Sequence, residues 1–491
     1  MPFLNRRAAL ALGLAAPLPL WAQRPRDTLV VGMTLEPPGL DPTVGAASAI
    51  AEVVLYNVLE TLTKIGPDGQ ARPLLADSWE ISADQKTYRF KLKRGLRFHN
   101  GEAFNAAAVK FSFERAASEA STNKDKRLFA GFASVVAADE ATLQITLKSP
   151  EPDLPFLLGQ ASACIVEPRS AQGNAQMPVG TGPYQFEAWS RGASLTLKAW
   201  PQYRSPAAIK RVQFRFISEP AAQVASLLAG DIDTFPRVAV ARSLAQFRSD
   251  ARFQVIVSGS RAKTLIAINH QRKPLGDVRV RRALAAAIDR KAVIAAAADG
   301  FGVPIGSHYV PGAPGYVDTT AINPFDPPRA RALLKEAGVG ALNLTLKLPP
   351  VPYARQGGEL VKAQLAQVGV NLKLENIEWA QWMASVYGQR NYELTLISHV
   401  EPLDLGNYAK TGYYWGYQNP EFNKLFEKLR ESPREAERLQ MLGDAQRLLA
   451  QDAAAIYLYQ PQWLTVAKKG LKGLWADMPI FANDIAALSW S

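Results

Sequence analysis

The sequence has little of what catalytic and metal centres are usually built from. Among 491 residues there is one cysteine, and there are four histidines: His99, His270, His308 and His399. A single cysteine excludes an internal disulfide and any site that needs several thiolates. There is no G-x-S-x-G turn, no H-E-x-x-H pair and no cysteine–histidine context, which argues against an exported hydrolase. We therefore predict no enzyme activity, no catalytic residue, no metal site and no cofactor.

Long hydrophobic runs are also missing, apart from a short one near the start. Arg6 and Arg7 precede an apolar run at residues 8–20, and Ala22 offers a small residue for cleavage. This pattern predicts a signal peptide over residues 1–22. A membrane-spanning helix needs about 20 apolar residues, so we expect a soluble, exported protein. No cysteine follows the cleavage site to carry a lipid, which favours the periplasm, with the Sec and twin-arginine routes both open.

The charge is strongly basic but evenly spread. The formal net charge is +12, and loss of the two N-terminal arginines leaves 12 − 2, about +10. Basic residues alternate with apolar ones, as in YRFKLK at residues 88–93, and no nucleic-acid module accompanies them. We interpret the charge as a solvated basic surface and expect no nucleic-acid partner. Attraction to an anionic ligand or a membrane surface remains an alternative.

The rest of the sequence predicts an α/β chain with more than one core. Length alone favours several domains, because single cores stop growing well below 491 residues. Period-two apolar alternation predicts strands, and capping signals predict helices over residues 329–337 and from Pro420 to about Arg430. The run SPRE at residues 432–435 predicts a capping box and a helix over residues 433–453. Cys164 lies among small and apolar residues, which predicts a buried thiol.

Several motifs together resemble one known family. They are PLLADSWE at residues 73–80, FKLKRGLRFHNG at 90–101, VGTGPY at 179–184, and DVRVRRAL with AIDR at 277–290. In that order and spacing they resemble the extracellular solute-binding proteins of the oligopeptide, dipeptide and nickel type, family 5. Trp79 and Phe98 are expected to be core residues, and His99 to be a hydrogen-bonded turn residue. Gly180 and Gly182, free to take positive φ, and Pro183 are expected to form a hinge or crossover.

The resemblance implies a fold and a function. It implies a two-lobed periplasmic binding protein of type II, in the large peptide-binding class, with an extra domain inserted in the first lobe. Mapped onto this chain, lobe I takes residues 27–62, 178–258 and 470–491, the inserted domain 63–177 and lobe II 259–469. A monomer of this kind captures a solute between its lobes and delivers it to the transmembrane permease of an ABC importer. Alternatives are a periplasmic chaperone and a relative that binds nickel or a metal chelate.

The resemblance also implies ligand-binding residues. In dipeptide-type relatives an acidic residue in the segment that matches residues 396–404 pairs with the ligand's ammonium group, and Glu401 has that place here. The arginine that holds the ligand carboxylate in those relatives is matched by Leu348, so half of this clamp is missing, and strand alternation points Lys347 away. We therefore expect an amine-bearing solute or a peptide held by other contacts.

Further candidates come from neighbouring residues of the same half. Ser398 and His399 adjoin Glu401, and His399 is a candidate nickel ligand without a second histidine nearby in the sequence. Aromatic residues cluster around it. Three consecutive aromatics at residues 413–415 are not expected to face one core, so Tyr414 and Trp415, together with Trp382, are candidates for the pocket wall.

Overall fold

The computed structural model describes residues 27–491, in which strands and helices alternate as predicted. The predicted signal peptide, residues 1–22, lies outside the described residues. Within residues 27–491 no helix is both long enough and apolar enough to cross a membrane. The strands are β1 Thr28–Met33, β2 Thr63–Ile65, β3 Ala71–Pro73, β4 Ala76–Ile81, β5 Thr87–Leu92, β6 Phe132–Asp139, β7 Thr142–Leu147, β8 Tyr184–Ser190, β9 Ser194–Ala199, β10 Arg211–Phe216, β11 Thr234–Phe235, β12 Phe253–Ser258, β13 Lys263–Ile268, β14 Gly302–Pro304, β15 Leu342–Leu348, β16 Val370–Asn376, β17 Leu394–His399, β18 Ala455–Pro461, β19 Trp463–Lys468, β20 Leu471–Lys472 and β21 Ser489–Trp490.

The helices lie mainly between the strands of the second half of the chain. They are α1 Ser48–Val54, α2 Ala106–Ala117, α3 Lys126–Ala130, α4 Leu154–Leu157, α5 Pro220–Leu228, α6 Leu244–Ser249, α7 Val278–Ala286, α8 Arg290–Ala298, α9 Pro327–Glu336, α10 Pro352–Ala366, α11 Trp379–Gln381, which continues as a π-helix over Trp382–Gly388, α12 Pro420–Glu431 and α13 Glu435–Gln451.

The first large sheet has seven strands in the order β12-β19-β11-β1-β10-β9-β8. Strand β1 is parallel to β10 and β11, and the remaining pairs are antiparallel. Successive residues of a strand point to opposite faces, and the core follows this rule. Val31 packs into one buried cluster with Leu29, whereas Val30 belongs to a second cluster with Phe235. The sheet is thus covered on both faces.

The second large sheet has six strands in the order β14-β18-β13-β17-β15-β16. Strand β13 lies in its middle, and all six of its residues are buried. Ile266 and Ile268 face the cluster formed with α7, α8 and α10, whereas Leu265 and Ala267 face an aromatic-rich cluster. This second face lies beneath the loop that carries Glu401.

A smaller antiparallel sheet, β4-β5-β7-β6, packs against α2 around a third core. Phe98 is fully buried in this core and Trp79 packs against it, which confirms the prediction for both residues. Cys164 is buried as predicted, and its burial raises the pKa of the thiol well above the usual value. The thiol therefore stays protonated and unreactive.

The chain passes between the two large sheets twice. Residues 259–262 lead from β12 into β13, and Gln462 leads from β18 into β19. The passages are tied together, because Ser260 Oγ donates to the Pro461 carbonyl at 2.6 Å and Gln460 Nε2 donates to the Ser260 carbonyl at 2.6 Å. These two neighbouring passages are the covalent connections between the two large sheets.

The domain boundaries stay predictions, and two facts bear on them. Strand β19 falls inside the predicted lobe II, residues 259–469, yet it pairs with β11 and β12 of the seven-stranded sheet. Beyond it, Leu471 and Ile485 pack into a core of that same sheet. The C-terminal part that belongs with the seven-stranded sheet therefore begins with β19.

Two predicted helices are confirmed and one is displaced. Asp326 accepts from the Arg329 N–H at 2.9 Å at the start of α9, and Asn419 accepts from two N–H groups at the start of α12. The predicted capping box at Ser432 is wrong, since α13 begins at Glu435 without a side-chain cap. Ser432 instead ends α12, and its carbonyl accepts from Gln85 Nε2 at 2.6 Å.

Candidate functional site

A cavity of about 180 Å³ lies beside the passages between the two large sheets. Its wall comes from seven residues between Pro42 and Leu55, before and along α1, from Lys124 and residues 160–161, and from passage residues 260–262. Residues 400–402 after β17, Trp463 and residues 478–481 complete it. We call this space the cleft cavity. The charged residues of its wall are Lys124, Arg261 and Glu401.

Glu401 is the one predicted ligand residue that the structure places on this wall. It follows the end of β17 and is exposed there. Its position is fixed through its backbone, because Lys263 Nζ donates to the Glu401 carbonyl at 2.5 Å and to Asp404 Oδ1 at 2.5 Å. One buried ammonium group thus holds both ends of the loop, while the Glu401 carboxylate forms no hydrogen bond or ion pair within residues 27–491.

Asp404 is the centre of a buried polar network beneath this loop. Its Oδ2 lies 2.9 Å from His308 Nε2 and 3.3 Å from His399 Nδ1. Burial opposes ionisation of Asp404, but the hydrogen bond from His308 and the charge of the Lys263 ammonium group hold its pKa well below the usual value. Burial also disfavours the charged form of His308 and lowers the pKa of its imidazole to about 4. The network therefore consists of a Lys263–Asp404 ion pair hydrogen-bonded to neutral His308.

The same three side chains have the geometry of a metal site. The ligand atoms of His308, His399 and Asp404 lie within 4.8 Å of one another, so the structure supplies the second histidine that the sequence did not reveal. A divalent ion there would lie beside the Lys263 ammonium group, which already neutralises Asp404. Like charges in a buried site repel strongly, so the arrangement suits the hydrogen-bonded network better than a cation.

The predicted aromatic wall lies elsewhere, in the core under the six-stranded sheet. Trp382, Tyr414 and Trp415 are at most 5% exposed, and none lines the cleft cavity. Trp415 stacks on Tyr408 with ring centroids 4.2 Å apart, and Trp382 Nε1 donates to Thr395 Oγ1 at 3.0 Å. The expectation that three consecutive aromatics cannot share a core is wrong.

A tight bend of the chain allows this packing. Gly412 and Gly416 flank residues 413–415, and both have positive φ, which lets the backbone turn at each end of the aromatic run.

The predicted ligand residue Ser398 also lies outside the wall of the cleft cavity, and its N–H donates to Tyr353 Oη at 3.0 Å. His399 joins the network under the loop, with Nε2 2.9 Å from Tyr414 Oη.

Leu348, which matches the clamp arginine, and its neighbour Lys347 both lie away from the cleft cavity. Leu348 is 1% exposed in the core beside α10. Lys347 Nζ donates to the Asn391 carbonyl at 2.8 Å and lies outside the cleft cavity. Neither residue is therefore placed to bind the anionic end of a solute there.

The predicted crossover residues lie at the entrance to the seven-stranded sheet, just before β8. A Cβ on Gly180 would come within 1.9 Å of the Val58 carbonyl oxygen, and one on Gly182 within 2.3 Å of the Asn57 carbonyl oxygen. Close backbone approach, and not the expected positive φ, explains both glycines. His99 is the predicted turn residue: its Nδ1 accepts from the Gly180 N–H at 3.3 Å. The passages between the large sheets are at residues 259–262 and Gln462, not at residues 180–183. A hinge role for residues 180–183 therefore remains a prediction.

The site also contains residues that sequence reasoning missed. Arg261 lies in the passage before β13, Lys263 is the first residue of β13, and His308 lies in a loop far from both in the chain. Their proximity follows from the antiparallel pairing of β13 with β17, in which Lys263 is opposite His399. The available sequence signal for Lys263 was a basic residue at the first position of an apolar strand. His308 carried none.

Comparison with known proteins places the chain among binding proteins. Residues 70–424 match the family model described as bacterial extracellular solute-binding proteins, family 5 Middle. The chain is 28% identical to a dipeptide-binding protein of Escherichia coli K12, over 96% of this chain and 97% of that protein. It is 27% identical to the glutathione-binding protein GsiB of E. coli K12, over 96% of both.

A solved structure supports the same assignment. The PBP AgaA from A. tumefaciens R10, in complex with agropinic acid, superposes with a TM-score of 0.79 at 26% identity, over 94% of this chain and 99% of that one. The predicted fold class, a type II periplasmic binding protein, is confirmed by this similarity.

Proposed function

Because the chain belongs to the bacterial extracellular solute-binding proteins, family 5, we propose that it captures an amine-bearing solute, such as a short peptide, in the cleft cavity. The predicted class, the solute-binding component of an ABC importer, is confirmed at the family level. The identity of the solute, its place in the cavity and the residues that bind it are the proposal.

The observation that supports this proposal is the composition of the wall. Residues from the side of the seven-stranded sheet, from the inserted segment and from the six-stranded sheet all line one cavity. A solute that touches several bodies is bound more tightly when they close on it, so binding shifts the population toward the closed form. A permease that recognises the closed form then receives only loaded protein.

Glu401 is the proposed partner of the amine. Its carboxylate has no hydrogen-bond or ion-pair partner among residues 27–491, although its backbone is held by Lys263. A charged group on a cavity wall that is left unpaired by the protein suits an oppositely charged ligand group. The two E. coli relatives, a dipeptide-binding and a glutathione-binding protein, support a peptide-like solute.

We propose the periplasm as the site of action and a monomer as the working form. The family is described as extracellular, and the two E. coli relatives are binding proteins, which supports export and a role without catalysis. The basic pair and apolar run of residues 6–20 support a signal peptide.

Ligand-induced thermal stabilisation tests the proposal. A panel of free amino acids, dipeptides and tripeptides is added to the wild-type protein, and the melting temperature is measured. A solute at a hundredfold excess over its Kd adds about 2.7 kcal/mol to the free energy of unfolding, which a general chaperone would not show selectively. We expect stabilisation by amine-bearing probes and none by their N-acetylated forms.

The matched variants are Glu401→Gln and Glu378→Gln. Glu401→Gln removes the charge that faces the amine, so affinity should fall by about tenfold or more, as expected for loss of a charge-assisted hydrogen bond. Glu378 has a side chain that is 78% exposed and lies outside the cavity wall, and its variant should bind as the wild type does. Unchanged affinity of Glu401→Gln would remove Glu401 from the site.

A further inference from the structure

Arg261 is a buried cationic residue on the wall of the cleft cavity. It lies in the passage from β12 to β13 and is 6% exposed. Residues on both of its sides, Ser260 and Ala262, line the same wall. It therefore occupies the segment where the two large sheets are joined and where a solute between them would lie.

The charge of Arg261 is poorly compensated by the protein. Its Nη2 donates to the Gly312 carbonyl at 2.6 Å. No carboxylate oxygen of residues 27–491 lies within 4.0 Å of its guanidinium nitrogen atoms, so it forms no ion pair there. Burial lowers the pKa of Arg261, against the weaker opposing effects of Tyr309, Asp477 and Asp68. A guanidinium group has five N–H donors, so most of its hydrogen-bonding capacity is left over.

The two acids that influence Arg261 are engaged elsewhere. Asp477 Oδ1 accepts from the Gly259 N–H at 2.8 Å, and Asp68 forms an ion pair with Arg72 at 2.5 Å. Neither forms an ion pair with Arg261. Within residues 27–491, no carboxylate therefore forms an ion pair with this guanidinium group.

Other buried arginines of the chain are better satisfied. Arg281 donates to three backbone carbonyls and Arg290 to two. Arg261, with one backbone acceptor, is the least satisfied of these three, and of the three it alone lines the cleft cavity.

Arg261 and Glu401 lie just beyond the same end of a strand pair. Lys263 at the start of β13 pairs with His399 at the end of β17, and Arg261 and Glu401 are each two residues beyond that pair. These residues carry opposite charges and line one cavity, yet they do not form an ion pair with each other. A solute with an amine at one end and an anionic group at the other would complement both.

From these observations we propose that Arg261 binds the carboxylate of the solute, and that the solute class is therefore zwitterionic or acidic. This inference rests on the proposed function and assigns to Arg261 the task for which Leu348 is unsuited. A planar guanidinium group accepts a carboxylate in a bidentate arrangement, and such charge-assisted pairs are strong where water is excluded. Lys124 adds a second positive charge to the wall, although it is already paired with Asp125 at 3.0 Å.

The test compares each dipeptide of the panel as the free acid and as the C-terminal amide. Amidation removes the anionic charge and keeps the amine, so the comparison isolates the group that Arg261 is proposed to bind. Kd values come from titration calorimetry on the mature protein. For the wild type we expect the amides to bind about tenfold or more weakly than the acids, the usual effect of losing a hydrogen bond to a charged group.

Three variants complete the experiment. Arg261→Gln should bind acid and amide alike, and Arg261→Lys should retain part of the preference for the acid because it keeps the charge but loses the fork. Arg242→Gln is the matched control, since Arg242 has a side chain that is 88% exposed and lies outside the cavity wall, and it should behave as the wild type. Should Arg261→Gln fail to fold, the wild-type comparison and Arg261→Lys still decide.

The possible failures are distinguishable. Equal binding of acids and amides by the wild type, or an undiminished preference for acids in Arg261→Gln, overturns the assignment of Arg261 and leaves the proposed function standing. Absence of binding by every member of the panel, acid or amide, overturns the proposed peptide-like solute and this inference with it.

Discussion

At the scale of single residues, Lys263 and Asp404 are the pair on which the Glu401 loop depends. Their side chains are 2% and 6% exposed, and the ammonium group also holds the Glu401 carbonyl. Removing one partner leaves the other charge buried and uncompensated, which typically costs 3–5 kcal/mol. We expect Lys263→Met to lower the free energy of unfolding by about that amount in urea denaturation.

An exposed ion pair provides the control for this prediction. Arg72 and Asp68 have side chains that are about half exposed. Arg72→Met should therefore cost less than about 1 kcal/mol. Similar losses for the two variants would contradict the role of Lys263 as the buried support of the loop.

Two partly buried histidines, in addition to His308, predict a loss of stability in mild acid. Burial lowers the pKa of His99 and of His270 to about 4, from an ordinary value of 6.5. Below pH 6.5 the unfolded chain takes up protons that the folded one does not, so stability is lost as the pH falls from 6.5 to 4. His270→Gln should show a shallower fall in urea midpoint over that range than the wild type. An unchanged slope would contradict the account.

The sequence led to one residue of the cavity wall, Glu401, and was misleading for the aromatic residues. Glu401 was predicted from its place in a family segment, and the structure puts it on the cavity wall. Tyr414 and Trp415 were chosen because aromatic residues often line pockets, but the same side chains fill cores equally well. Only the tertiary contacts separate the two roles. Arg261 was missed because its burial and its lack of an ion pair are invisible in the sequence.

At the scale of elements, capping residues make a measurable contribution. Asp326 accepts from the Arg329 N–H at the start of α9, whereas α13 begins without a side-chain cap. Asp326→Ala should reduce the free energy of unfolding by about 1 kcal/mol. Glu435→Ala, in the first turn of α13, loses no capping hydrogen bond and should cost clearly less. Equal losses in chemical denaturation would contradict the assignment of the cap.

The contact between the four-stranded sheet and α12 makes a second prediction. Arg430 donates to the Pro150 carbonyl at 2.8 Å and lies 3.8 Å from the Glu151 carboxylate. Burial, followed by the charge of Asp153, raises the pKa of Glu151 from 4.5 to about 7, with Arg430 opposing. The folded state thus holds a proton that the unfolded state releases, so this contribution to stability is lost as the pH rises from 4.5 through 7.

Glu151→Gln is the variant that tests it. Glutamine keeps the shape of the side chain and cannot ionise. The difference in unfolding free energy between wild type and variant should therefore change between pH 5 and pH 8, in the direction of a less stable wild type at pH 8. A constant difference would show that Glu151 has an ordinary pKa.

Strands and helix starts were largely predictable, and their partners were not. Strand β15 at Leu342–Leu348 follows from alternating leucines, and α9 follows from Asp326 and its prolines. The capping box at Ser432 failed because that serine is needed to end α12 and to bind Gln85. Strand β19 joins the seven-stranded sheet because it pairs with β12, a contact between residues more than 200 positions apart.

At the scale of the whole molecule, the two tied passages at residues 259–262 and Gln462 are the natural place for motion between the large sheets. Binding in the cavity beside them should favour the closed arrangement, because the solute then contacts every side of the wall. We expect the radius of gyration from small-angle X-ray scattering to decrease when a stabilising dipeptide is added. An identical scattering curve for Glu401→Gln with the same dipeptide and without it would serve as the control.

The fold as a whole was predictable from a handful of motifs, since their order and spacing identify the family. The solute was not, because it depends on which charges remain unpaired after folding. Glu401 and Arg261 are such charges, and they come from segments 140 residues apart in the chain.

A crystal structure of the protein with the dipeptide that stabilises it most tests the central claim directly. The account predicts the dipeptide between the two large sheets, with its amine beside the Glu401 carboxylate. A dipeptide bound outside the cleft cavity, or one that contacts a single sheet and its loops, would contradict it.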